Sequence, residues 1–341
     1  MNSNTYAKLA NAALISVLTL IFVGAIVRVT GAGMGCPDWP TCWGMLIPPT
    51  NVEDVDFGKL DIEKFQRKAE RMGRDPSTIS RESLRSEFNS RHVWTEFTNR
   101  LFSLPVGFFS LATFISSFHF RKSRPLLFWL SFAGFLLVLA NAWMGARVVY
   151  SGIAPGVLST HLALAMALIG VLSYCAWAGA DSPPKIRVSG KVLLAKTTVF
   201  ALLILVVVEG MLGTQIREMT DTLAKAHLDA PRETWIGELE ESATYFIHRS
   251  LSWVLLLTTV FAFSLAKKNQ PDGVTASQIG VLAIMFSQMI LGLVMAQIHI
   301  YSWVQVLHVG LAAILLALVI RWYLIIPSAK RPLADSGGRL D

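Results

Sequence analysis

Residues 9–27 read LANAALISVLTLIFVGAIV, an unbroken run without a formal charge. A helix needs about 20 mostly apolar residues to cross the hydrocarbon of a bilayer, so this stretch alone sets the class of fold. It is too long for the core of a cleaved signal peptide and continues into a glycine-rich segment, so it reads as a first spanning helix. Outward from it, Pro125–Ala146, Val148–Ala180 and Val274–Ile298 also lack Asp, Glu, Lys and Arg, with only His161 able to gain a charge. Leu101–Phe118, Ser250–Ala266 and Trp303–Ile320 are shorter, and Lys196–Ile216 is interrupted only by Glu209. The sum predicts an all-α membrane protein with eight transmembrane helices. Composition agrees: 53% of the 341 residues are hydrophobic and 16% charged, against roughly 25% charged in soluble domains.

Lys and Arg in short loops set orientation. They follow helix 2 (Arg121, Lys122, Arg124), helix 4 (Lys185, Arg187, Lys191), helix 6 (Lys267, Lys268) and helix 8 (Arg321, Lys330, Arg331, Arg339). All fall on one side, which places both termini in the cytoplasm and the chain in the cell's inner, cytoplasmic membrane. The net charge of +7 then marks the inner face of the lipid bilayer and calls for no nucleic-acid partner. The outward segments are Cys36–Arg91, rich in both signs of charge, and the acidic Arg217–Thr244. Within the first, residues 45–91 form a long loop with a short helix expected over Ile62–Arg71, and its function is not legible.

Cys36 and Cys42 lie in GCPDWPTCWG just outside helix 1. If that side is oxidising, a disulfide is expected. Two reduced thiols are the alternative, and metal binding fits less well without a nearby histidine cluster. Cys175 reads as core.

The chain repeats itself on sparse landmarks. Helix 1 ends Gly24-Ala-Ile-Val-Arg28 and helix 5 ends Gly213-Thr-Gln-Ile-Arg217. Helix 2 begins Phe97-Thr-Asn99-Arg100 and helix 6 begins Phe246-Ile-His248-Arg249. Gly145 precedes His161 by 16 residues, and Gly292 precedes His308 by the same 16. The order and spacing argue for duplication into residues 1–180 and 181–341, two pseudo-symmetric four-helix bundles. Four helices return the chain to its starting side, so the repeat is parallel, unlike the inverted repeats of many transporters.

An ionisable residue at membrane depth is costly and usually functional. Asn99, His161, His248 and His308 all fall in the outer turns of their helices. A lone histidine is more often a hydrogen-bonded core residue, but pairs on facing helices are how bundles hold cofactors. Haem iron accepts axial imidazole, whereas zinc wants three or four protein ligands, and no third one lies at matching depth. His248 and His308 are therefore read as an axial pair for haem iron. His161 is read as the iron ligand of a second site, where Asn99, a poor ligand, stands in place of the other histidine. The complete site suits electron transfer; the incomplete one suits a haem that reacts or exchanges.

Glu96 lies three residues before Asn99 on the same helix face, and its counterpart is Tyr245. A carboxylate present only beside the incomplete site is a candidate for proton handling; the alternative is a solvated helix-start residue. Arg28, Arg100, Arg217 and Arg249 sit near the outer boundary as partners for haem propionates or as interfacial anchors. Glu209 lies inside helix 5 and is expected to pair with an arginine or a polar partner.

These landmarks resemble the haem A synthase family. The most specific stretch is residues 24–44, GAIVRVTGAGMGCPDWPTCWG, joined by Glu96-Phe-Thr-Asn-Arg100, His161-Leu-Ala-Leu-Ala165, His248-Arg249 and His308. The resemblance covers helices 1 to 8 but not most of the long outer loop. It implies oxidation of the C8 methyl group of haem O to a formyl group, through hydroxymethyl and a hydrated aldehyde. It implies haem b as cofactor on His248 and His308, the substrate near His161 and Glu96, and a Cys36–Cys42 disulfide. It also implies haem O synthase and cytochrome oxidase assembly factors as partners. Asn99 departs from the family, many of whose members carry histidine there. The competing class is a di-haem b-type electron carrier without haem-modifying activity.

Overall fold

A computed structural model describes residues 3–71, 75–152, 156–227 and 230–327. Its helices in chain order are α1 (Ser3–Val29), α2 (Ile62–Arg71), α3 (Arg81–Glu87), α4 (Ser90–Ser117), α5 (Pro125–Tyr150), α6 (Val157–Ala178), α7 (Val192–Ala226), α8 (Ile236–Glu240), α9 (Ala243–Asn269), α10 (Ala276–Gln297) and α11 (Ser302–Ile325). Eight of them, α1, α4, α5, α6, α7, α9, α10 and α11, are long and apolar enough to cross a membrane. The tail residues Lys330, Arg331 and Arg339 lie outside the described residues.

Six of the eight spans are longer than their apolar runs, whereas α6 and α10 fall inside Val148–Ala180 and Val274–Ile298. The clearest case is α7, which continues past Ile216 through Ala226 and turns the first part of the expected acidic loop into helix. Met219 to Ala226 contains no Gly or Pro to stop it, and Arg217 lies 3.8 Å from Asp221 one turn on, the spacing that supports a helix. Elsewhere polar side chains set the starts. Asn89 accepts from the backbone of Arg91 and His92 at α4, and Thr275 and Gln278 form a reciprocal cap at α10. Such caps satisfy N–H groups that the first helical turn leaves free.

Among the spans, α1, α4, α5 and α6 pack each against the next, and α6 packs back on α1. The spans α7, α9, α10 and α11 close in the same way. The two rings of helices meet where α11 packs on α1 and α6, and where α6 packs on α7. Val17, Leu168, Leu202, Met285, Leu316 and Trp322 join both rings in one core. The α1–α11 contact depends on Gly310, because a Cβ there would collide with the ring of Phe22. Large apolar side chains such as Phe108, Trp129, Leu257 and Phe261 point outward, as lipid requires and water does not.

Residues between α1 and α4 fold into a cap. Trp43, Val55, Leu60, Phe65, Ala69, Ile79, Leu84 and Val93 form its own small core around Cys36 and Cys42. The two cysteines are joined in a disulfide and are 0% and 1% exposed, so the cap seals the bond from solvent. The helix expected over Ile62–Arg71 is α2 with those bounds.

Candidate functional site

All four landmark polar residues lie within the first three turns of α4, α6, α9 and α11, and each faces a glycine of a neighbouring helix. A methyl group on Gly213 of α7 would stand 3.6 Å from Cε1 of His248, and one on Gly292 of α10 would stand 3.9 Å from Cε1 of His308. In the other ring, Gly145 of α5 has the same 3.9 Å relation to Cε1 of His161, and Gly24 of α1 to Oδ1 of Asn99. Each side chain therefore rests against bare backbone, which leaves room beside it that a larger residue would fill.

Around His248 and His308 the neighbours are polar. Glu209 Oε1 lies 3.2 Å from His248 Nδ1, although the ring is turned off the line of an aligned hydrogen bond. Ser252 Oγ donates to the same Glu209 oxygen and is also 2.8 Å from the His248 carbonyl. The polar partner expected for Glu209 is thus Ser252 beside a histidine, not an arginine. Gln288 of α10 donates through Nε2 to the carbonyl of His308 at 2.8 Å, which ties α10 to α11. Among the described residues, Nδ1 of His161 and of His308 is buried without a hydrogen-bond partner.

Beside Asn99 the charged groups are Glu96 and Arg100. Glu96 is 6% exposed, and Arg100 donates to its Oε1 through Nε at 3.2 Å. The rest of the guanidinium points into the disulfide loop, donating to Thr41 O at 2.8 Å, Cys36 O at 3.2 Å and Asp38 O at 3.0 Å. Asp38 in turn accepts from the backbone N–H of Trp43 and Gly44 and from the Thr41 hydroxyl. A closed loop, an arginine and a buried acid form one hydrogen-bonded unit.

The other arginines part company. Arg28 of α1 donates to Gln305 of α11 at 2.5 Å and to Asp221 of α7 at 2.6 Å, and Arg217 approaches the same Asp221. The repeat-related pair therefore meets where the two rings join, and Arg249 is exposed. Asp221 and Gln305 were not singled out from sequence, although Asp221 stands one turn after Arg217 and Gln305 three residues before His308. Glu218 was also missed: it accepts from the backbone N–H of Gly156 and Ser159 and from the Ser159 hydroxyl. It thereby caps the start of α6, two residues from His161. No acceptor motif in the sequence marks such a cap delivered from another helix.

Residues 7–320 match the family model of the cytochrome oxidase assembly protein family COX15-CtaA. The chain belongs to that family. Among its relatives, a heme A synthase of Nitrosomonas eutropha is 27% identical over 274 residues, 74% of each chain. A heme A synthase of Flavobacterium psychrophilum is 24% identical over 337 residues, 88% of this chain and 92% of its own. A protoheme IX farnesyltransferase of Thermus thermophilus is 27% identical over 330 residues, but this chain covers only 47% of it. Family membership and eight apolar helices make the chain a multi-pass membrane protein.

The residues fit haem better than a bare metal ion. Among the described residues no group of three or more His, Cys, Asp or Glu comes together, as zinc would want. Buried imidazoles whose Nδ1 finds no partner, each against a glycine, fit a ring-bound iron that asks the protein for only one or two axial nitrogens.

Proposed function

We propose that this protein is a haem A synthase that oxidises the C8 methyl group of haem O to the formyl group of haem A. The observation that supports this reading is that Asn99, His161, His248 and His308 each face a glycine of a neighbouring helix, with a buried Glu96 beside Asn99 alone. On this reading residues 1–180 and 181–341 are duplicated halves with different work.

His248 and His308 would hold haem b, which when bound would supply one-electron transfer. Glu209 Oε1, 3.2 Å from His248 Nδ1, would accept its proton once the ring aligns, which would leave Nε2 free to hold that group. Gln288 fixes the backbone of His308. In the other half His161 binds the substrate iron on one face, and Asn99 leaves the opposite face weakly held. Haem O can then arrive and haem A leave.

The methyl carbon gives up two electrons twice to an external oxidant such as dioxygen and gains an oxygen each time, to hydroxymethyl and then to a hydrated aldehyde that loses water. Glu96 serves the proton transfers and offsets positive charge developing at that carbon. Oε1 is engaged by Arg100, so Oε2 is the atom that takes the proton. Arg28 and Arg217 hold the two halves together through Asp221, and Arg217 and Arg249 remain partners for propionates. The protein sits in the inner, cytoplasmic membrane with both termini in the cytoplasm and the pockets toward the outer face. Haem O synthase supplies the substrate, and cytochrome oxidase assembly factors take the product.

Purified protein extracted for porphyrins and analysed by mass should yield haem b together with haem O, its hydroxylated form or haem A. Reconstitution with haem O, a reductant and an oxidant such as dioxygen should yield haem A. Haem b alone in both experiments would mark a b-type electron carrier instead.

A further inference from the structure

Lys68 is the one lysine or arginine among the described residues that is nine-tenths buried, at 9% exposed. It lies on α2 inside the cap, and its Nζ donates to Pro37 O at 3.2 Å. An ammonium has three N–H donors, and among the described residues no carboxylate pairs with this one. A buried charge is ordinarily paired. Asp38 is close, but its oxygens accept from Trp43, Gly44 and Thr41. Arg67 is turned toward Glu63, 3.2 Å away on the exposed side.

Lys68 opens instead onto a cavity of about 240 Å³ whose walls include Lys64, Asp38 and Tyr150. Water occupies roughly 30 Å³ per molecule, so the space exceeds what a single water would fill. Lys64 is one turn before Lys68 on the same helix face, where like charges repel, and its Nζ sits 5.0 Å from the centre of the Tyr150 ring. The Tyr150 hydroxyl is used on Trp39 O at 2.6 Å, which leaves the ring as an apolar wall. Burial also pushes the Lys68 ammonium down to about 8, the direction that an anion in the cavity would reverse.

We propose that this cavity binds one oxyanion head group, a carboxylate or a phosphate, between Lys64 and Lys68. Two sources present that chemistry at the membrane boundary: a propionate of a porphyrin and the phosphate of a phospholipid. The porphyrin source rests on the function proposed above; the lipid source does not. The site also touches the catalytic side of the molecule, because Lys68 and Arg100 grip consecutive carbonyls, Pro37 by the first and Cys36 and Asp38 by the second.

The test uses the full chain in uncharged detergent at pH 7, with thermal unfolding in inorganic phosphate against chloride at equal ionic strength. Phosphate should raise the melting temperature saturably in the native protein, less in Lys64→Gln and not in Lys68→Met. Lys68→Met should melt no lower than the native protein in chloride, since it removes an unpaired buried charge, and this guards against misfolding. No phosphate effect in the native protein, or an undiminished one in Lys68→Met, overturns the site. Displacement of phosphate by haem but not by haem dimethyl ester assigns a porphyrin carboxylate. Displacement by phosphatidylglycerol vesicles but not phosphatidylcholine vesicles assigns a lipid head group, and displacement by neither overturns the assignment. A protein that binds phosphate here yet fails to convert haem O keeps the site and loses only the proposed function.

Discussion

The surroundings of His248 and His308 and those of Asn99 and His161 have glycines at matching places and differ in their polar neighbours. Counting from those glycines and from Asn99 and His248, Leu20 stands where Glu209 does, Ser103 where Ser252 does, and Asn141 where Gln288 does. Ser252 reaches across to Glu209, while Ser103 turns back to the carbonyl of Arg100 at 2.6 Å. Gln288 braces His308 from another helix, while Asn141 donates to Leu137 on its own helix at 2.8 Å. One set places an acid beside His248 and a glutamine on the backbone of His308, although neither Nδ1 finds a hydrogen-bond partner. The other likewise leaves His161 Nδ1 without a partner and concentrates charge in Glu96 and Arg100, which is hydrogen-bonded to the cap. On the proposed function, the histidine pair would hold a resident group, and the site with a buried acid would take a molecule that is changed and released.

The contrast can be broken most severely at the ligands. Replacing His308 with Ala should abolish the Soret absorbance of haem b, whereas His161→Ala should leave it and lose only substrate binding; equal loss of haem b in both variants would erase the distinction. Next in size is Glu96→Ala, which should keep haem b bound and lower haem A formation by about 10²–10⁴-fold, the range of a lost general acid–base group. Product analysis decides it, with the hydroxylated intermediate accumulating, and an unchanged yield would remove Glu96 from the chemistry. Glu209→Gln should weaken haem b retention by roughly 10–100-fold, the usual cost of losing a partner behind a metal-bound histidine; haem titration checks it.

Two further changes sharpen the comparison. Asn99→His should make the first pocket resemble the second, giving tighter haem O retention and slower release of product in single-turnover assays. The smallest effect concerns the cap. Burial holds Lys68 at about 8, below its ordinary 10.5, against the raising influence of Asp38 and together with the lowering influence of Arg100 and Lys64. Above that value the unfolded chain keeps a proton that the folded cap has lost, so stability should rise from about pH 8 toward 10.5. Limited proteolysis of the cap across that range should show the trend, and Lys68→Met should flatten it.

The eight spans were legible because a bilayer imposes length and apolarity locally, residue by residue. The polar landmarks were legible because their spacing repeats, and α2 because its ten residues alternate apolar and charged positions with helical period. What the guanidinium groups do was not legible. Arg100 and Arg28 looked alike in sequence as boundary cations, yet one enters the disulfide loop and the other bridges α1 to α7 and α11. Glu209 read as an unexplained charge until α9 brought Ser252 and His248 to it.

By itself, then, the sequence determined the class of fold, the number of spans, the pairing of landmarks and the odd place of Asn99. Those are matters of composition and period, and each is carried within about 20 neighbouring residues or by a fixed interval between them. Only the tertiary structure decided which carbonyls hold Arg100, which helix supplies the acid behind His248, and that Lys68 is shut inside a cap with no salt bridge to a carboxylate among the described residues. Those contacts join residues tens to hundreds of positions apart, and their existence depends on how the rings of helices pack, which no local pattern records.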